Sequence, residues 1–268
     1  MTSPDEPVLL EGGGRTVVHR RGNTVVRDTG PWTPAVHALL RHLADVGFAA
    51  APRLVGSGLD PDGREMLTFI EGEFTQPGPW RLDGAAALGS LLRSLHEATR
   101  SFRPPPDAVW FPWHGRGLGG PDRVVGHCDV APWNIVARNG LPVAFIDWET
   151  AGPVDPLVEL AQLAWLNAKL HDDIVAQIEQ LPPLADRARQ LAAIAGSYGL
   201  TARQRSGLLD QIIEFAIVDT AWEADDANVA PDMTSHPIAL WAMAWRARSA
   251  AWMIRNRRPL ETALYRGA

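Results

Sequence analysis

The chain has 268 residues, 46% hydrophobic and 21% charged, which excludes a disordered chain and allows one large domain or two small lobes. A net charge of −6 excludes a nucleic-acid binder that works by neutralising phosphates. The single cysteine, Cys128, cannot form an internal disulfide. The first residues lack a signal-peptide pattern, and no apolar run approaches the roughly 18 residues of a spanning helix. A soluble, cytoplasmic protein with no nucleic-acid or membrane partner is the expectation.

The first 70 residues read as short strands and one helix. Val8 to Glu11, Thr16 to Arg20 and Thr24 to Arg27 are rich in β-branched residues and are separated by glycine turns, as in antiparallel hairpins. The triplet Gly12-Gly13-Gly14 is either a plain turn or a place where backbone amides approach phosphate. A helix is expected from Thr33 to Val46, with Leu39, Leu40, Leu43 and Val46 on one face and Pro34 in the first turn. Strands follow at Arg53 to Gly56 and Glu65 to Ile70, around the turn Asp60-Pro61-Asp62-Gly63.

Composition changes at Glu71-Gly72-Glu73, which places a lobe boundary between residues 1–71 and 72–268. Leu88, Leu91, Leu92 and Leu95 mark an amphipathic helix, and residues 104–121 read as loop. Short apolar strands are expected at Val124 to Gly126, Ile135 to Ala137 and Val143 to Ile146. Asp155-Pro156 then reads as the N-cap and first position of a helix running through Leu170. The remainder is helical, with long segments near Thr201 to Ala227 and His236 to Arg255. The fold class is therefore α+β, with a small antiparallel sheet lobe and a larger helical lobe.

The chemistry concentrates in His127-Cys-Asp129-Val-Ala-Pro-Trp-Asn134 and in Ile146-Asp147-Trp148. Flanking apolar runs put these polar residues at strand ends, where side chains from neighbouring strands converge. Phosphoryl transfer needs one carboxylate to accept the proton of the attacking hydroxyl, and an Asn oxygen and a second carboxylate to hold magnesium on nucleotide phosphates.

The pattern H-x-D-x-x-x-x-N followed by I-D-W resembles the catalytic and metal loops of the aminoglycoside phosphotransferase family, within the protein-kinase-like superfamily. Asp155-Pro156-Leu-Val-Glu159-Leu-Ala and Leu95-His96 are also similar to that family. The resemblance implies a two-lobed kinase-like fold and transfer of a nucleotide γ-phosphate, from ATP or GTP with Mg²⁺, to a small-molecule hydroxyl. It makes Asp129 the catalytic base and Asn134 and Asp147 the metal ligands, with His127 bracing the loop. It places adenine against the carbonyl of Thr68 and the N–H of Ile70.

Two departures stand out. The family's third-strand lysine has no counterpart, because Lys169 is the only lysine, and Arg27 is the nearest substitute. Its helical glutamate partner is also missing, with Val36 and His37 in that region, so Arg27 is expected either to contact phosphates unaided or to bind nucleotide less well. These departures keep open a catalytically silent kinase-like binding module. Glu214, Asp219, Glu223, Asp225 and Asp226, with Trp222, Trp241, Trp245 and Trp252, would suit a cationic acceptor. Helical spacing of the last three tryptophans favours the alternative, a solvated face over a Trp-rich core. Glu159, in the first turn of its helix, and Cys128 both read as structural.

Overall fold

In the computed structural model, residues 8–10, 17–230, 233 and 236–266 are described. The Gly12-Gly13-Gly14 turn lies outside them, as do Glu11 and Thr16 at two expected strand ends. Strands β1 (Val8–Leu10), β2 (Val18–Arg21), β3 (Thr24–Arg27), β4 (Leu54–Leu59) and β5 (Glu65–Thr68) form one antiparallel sheet in the order β1-β2-β3-β5-β4. Gly22, with φ of 55°, supplies the left-handed residue that the two-residue β2–β3 hairpin needs. Helix α1 (Thr33–Asp45) buries Leu39, Leu40 and Leu43, whereas Val46 lies just past the helix end and is exposed.

Strand β5 ends at Thr68, and further along the chain the backbone of Glu73 pairs with that of Ala137 in both directions. Helix α2 (Leu82–Thr99) packs its leucine face inward. Gly89 allows close approach of α5 (Leu184–Tyr198), since a Cβ there would lie 2.1 Å from the Ile194 carbonyl oxygen. Strand β6 (Val124–Gly126) pairs with β9 (Gly152–Val154), and β7 (Ile135–Arg138) pairs with β8 (Leu141–Phe145). Sequence pattern missed β9, whose three residues Gly-Pro-Val carry no alternation.

Helix α3 (Pro156–Asn167) starts at the expected cap, with Asp155 Oδ1 accepting from the Leu157 N–H at 2.8 Å. It ends before Leu170 because Lys169 turns the chain through a positive φ of 53°. Helices α4 (Asp173–Ile178), α6 (Ala202–Asp226), α7 (Pro237–Arg255) and α8 (Arg257–Arg266) complete the structure. One continuous apolar core joins α1 to the helices, including Leu40, Leu92, Phe145, Trp165 and Phe215. Among the described residues, no helix is long and apolar enough to cross a membrane.

Candidate active site

The seam between sheet and helices holds a cavity of about 300 Å³, lined among others by Arg27, Asp129, Asn134 and Asp147. Four of the six candidate site residues therefore meet. Thr68 and Ile70 sit at and just after the end of β5 and do not line this cavity. The Thr68 side chain ties β5 to the residue before β4, its Oγ1 accepting from the Arg53 N–H at 2.8 Å.

The two motif loops are fastened by backbone. The Ile146 N–H donates to the Asn134 carbonyl at 2.9 Å, and His127 Nε2 bonds the Ile146 carbonyl at 2.8 Å. His127 Nδ1 accepts from the Asp129 N–H at 3.2 Å, so the ring spans both loops as a brace. Burial pushes its pKa down and favours the neutral ring that this bonding requires. Asn134 Nδ2 donates to Asp129 Oδ2 at 2.8 Å and to the Asp129 carbonyl at 3.1 Å. Its amide nitrogen is thereby engaged, and the amide oxygen is the atom a hard cation would take.

Cys128 and Asp147 both adopt left-handed backbone, at φ of 64° and 62°. Such residues cost on the order of 1–3 kcal/mol and persist where surrounding bonds enforce them. Helix α3 supplies these for the first loop. Glu159 Oε1 accepts from the Cys128 N–H at 2.6 Å, and its Oε2 is 2.6 Å from His96 Nε2. Gln162 accepts from the Val130 N–H, and Asn167 donates to the Val130 carbonyl. Burial opposes ionisation of Glu159, but His96 and the Cys128 N–H outweigh it and hold the carboxyl below its ordinary range. The structural reading of Glu159 thus extends to the loop that carries Asp129. Cys128 is wholly buried, and burial together with Glu159 raises its thiol pKa, which favours the unreactive thiol over the thiolate.

Arg27 is not unaided. Its Nε donates to Glu65 Oε2 at 2.5 Å, and its Nη1 is paired with Asp147 Oδ1. Glu65 Oε1 lies 3.0 Å from His37 Nε2, so the carboxylate missing from the helix is supplied by a strand. The available signal was a lone acidic residue opening the otherwise apolar Glu65-Met66-Leu67 strand. It becomes informative only once β5 is known to lie beside β3.

Across the cavity, α6 and α7 form a wall. Arg246 bonds Asp219 Oδ2 and Glu223 Oε1, both at 2.6 Å, and His114 Nε2 lies 3.1 Å from Asp219 Oδ1. Burial opposes ionisation of Asp219, but His114 and Arg246 hold its pKa low. Two of the five acidic residues that suggested a cation site are thus already paired, sharing one arginine. Trp222 and Trp245 line the cavity, while Trp252 is buried and bonds Asp173.

A small antiparallel sheet set over a helical body, with an Asp-Asn-Asp constellation at the seam, defines the kinase-like class of phosphotransferase folds. Solved structures agree. An amicoumacin kinase in complex with AMP-PNP, Ca²⁺ and Ami superposes with a TM-score of 0.68 at 13% identity, over 96% of this chain and 90% of that one. A microcompartment-associated aminopropanol kinase gives 0.63 at 18% identity, over 98% and 94%. A choline/ethanolamine kinase family protein from Mesorhizobium loti gives 0.60 at 18%, over 97% and 92%.

The model of the phosphotransferase enzyme family matches residues 108–191, which include both motif loops and α3. The trifolitoxin immunity protein of Rhizobium leguminosarum bv. trifolii is 51% identical over 97% of this chain and 99% of its own length. The chain belongs to the phosphotransferase enzyme family.

Proposed function

We propose that the protein moves the γ-phosphoryl group of ATP or GTP to a hydroxyl of a small molecule. Asp129 accepts the hydroxyl proton as the acceptor oxygen bonds to γ-phosphorus and the bond to the β–γ bridging oxygen breaks, releasing the nucleoside diphosphate. Arg27 steadies the phosphates from the sheet side. Residues 1–71 serve as the nucleotide lobe, with the Thr68 carbonyl and Ile70 N–H toward adenine, and residues 72–268 carry the catalytic loop and acceptor site.

Asn134 and Asp147 would hold Mg²⁺, and their hard oxygen donors fit that ion. Among the described residues no group of three or more His, Cys, Asp or Glu could hold a metal ion alone, which suits an ion completed by nucleotide phosphates. Bound there, Mg²⁺ would neutralise charge on the phosphates. The observation that carries the reading is the convergence of Asp129, Asn134, Asp147 and Arg27 on one cavity.

Similarity to the trifolitoxin immunity protein supports a toxin as the acceptor, modified in the cytoplasm where nucleotide is available. Because Arg246 already satisfies Asp219 and Glu223, the acceptor need not be a cation, and the indoles of Trp222 and Trp245 offer faces for an apolar portion. The test is mass spectrometry after incubation with MgATP and trifolitoxin, then with a panel of hydroxyl-bearing amines and sugars. Gain of one phosphoryl group, abolished by Asp129→Ala, is expected. Nucleotide binding without transfer to any acceptor would favour the silent binding module.

A further inference from the structure

Arg27 and Glu65 stand directly opposite one another in the antiparallel β3–β5 pair, where side chains on one face are close neighbours. Both are buried, at 7% and 2% exposure, and so is His37 at 5%. A carboxylate this deep is tolerated only with its lone pairs occupied, and Glu65 has Arg27 Nε on one oxygen and His37 Nε2 on the other. Burial opposes both charges, yet the two partners hold the Glu65 carboxyl below its ordinary range, and Glu65 and Asp147 together raise the Arg27 pKa.

The arrangement is directional. Glu65 engages the Nε edge of the guanidinium, and Nη1 reaches Asp147 in the loop after β8. A planar, forked cation can meet both partners at once, whereas a lysine ammonium is a single point. His37 comes from α1, so the same carboxylate couples that helix to the arginine. Gly58 on β4 makes room for the ring, since a Cβ at that position would fall 2.8 Å from His37 Cε1. The four residues Arg27, His37, Gly58 and Glu65 come from four different elements and serve one geometry.

We infer that Glu65 and His37 are positioning residues for nucleotide phosphates: they fix the Arg27 fork so that its outer nitrogens face Asp147 and the phosphate end of the nucleotide. The inference rests on the phosphotransferase reading above. It assigns to a strand glutamate and a helix histidine an orienting task that the sequence left without a candidate. It also explains why an arginine is sufficient in a lobe that contains no lysine.

The experiment is calorimetric titration of MgATP and, separately, of adenosine into the wild type, Glu65→Gln, Arg27→Met and the double variant. Adenosine lacks phosphates and reports the base site alone. Glu65→Gln should weaken MgATP about tenfold, the scale of one lost charge-assisted hydrogen bond, and leave adenosine unchanged. Added to Arg27→Met, it should weaken MgATP no further, because its effect passes through the arginine. His37→Gln, a milder change, should weaken MgATP less and in the same selective way, and serves if Glu65→Gln does not fold. Unchanged MgATP affinity in the folded variants, equal loss for adenosine, or additive losses in the double variant would each overturn the inference. A wild type that binds no MgATP would overturn the phosphotransferase reading itself, and this inference with it.

Discussion

The loop bearing Asp129 and the wall formed by α6 and α7 face each other across one cavity and are held by different means. The loop is secured through its backbone: Glu159, Gln162 and Asn167 of the buried helix α3 bond the N–H of Cys128 and both polar groups of Val130. The wall is secured through side chains that pair with one another, Asp219 and Glu223 on Arg246, in partial contact with solvent. Backbone anchoring specifies where Asp129 lies whatever its own side chain is. Side-chain pairing leaves a surface whose charge balance one substitution can reset. The first arrangement suits a fixed chemical step and the second a particular acceptor.

Removing the base should break the comparison most completely. Asp129→Ala should lower phosphoryl transfer on the order of 10²–10⁴-fold, read as rate of product formation, with thermal stability little changed. If the rate survives, Asp129 is not the base. Next in size is the anchor. Glu159→Ala leaves His96 and the Cys128 N–H buried without their partner, and should destabilise the fold by about 3–5 kcal/mol in denaturant titration. A loss well under this would mean that α3 does not secure the loop.

The wall should respond in selectivity. Arg246→Met leaves Asp219 and Glu223 uncompensated and should improve binding of amine-bearing compounds relative to neutral ones by about tenfold, compared by competition calorimetry. Identical selectivity in the variant would count against these residues as acceptor wall.

A pH dependence is expected just after α3, where the His171 ring packs against Trp245 of the wall. His171 is buried beside Lys169, Arg187 and Arg246, and burial, with their charges, pushes its pKa from 6.5 down to about 3. A group whose folded pKa is depressed binds more protons when unfolded. Its contribution is therefore intact above pH 6.5 and declines as pH falls toward 3, by at most about 1.4 kcal/mol per pH unit. Unfolding midpoints measured from pH 8 to 4 should fall below pH 6.5, and His171→Gln should flatten the upper part of that fall. Parallel profiles would remove His171 as the cause.

The same contrast explains what was legible in the sequence. Asp129, Asn134 and Asp147 lie within 19 residues, in loops beside short strands whose apolar runs announce them, and they reach one cavity. The cap at Asp155 was equally visible, because an N-cap is a local event. Glu65 was not, since its meaning depends on which strand lies beside it. The pairing of Arg246 with two acids one turn apart on a different helix was also hidden, and it reduces the negative charge that composition alone assigns to that wall. Lys169 ended α3 early through a backbone twist for which its residue type gives no warning.

The most direct test of the central claim is calorimetric titration of MgATP and MgGTP into the wild-type protein and Asp147→Ala. Binding of at least one nucleotide that requires Mg²⁺ and weakens in the variant is the predicted result. Absence of binding to both, or binding indifferent to Mg²⁺ and to the loss of Asp147, would contradict a phosphotransferase site at this seam.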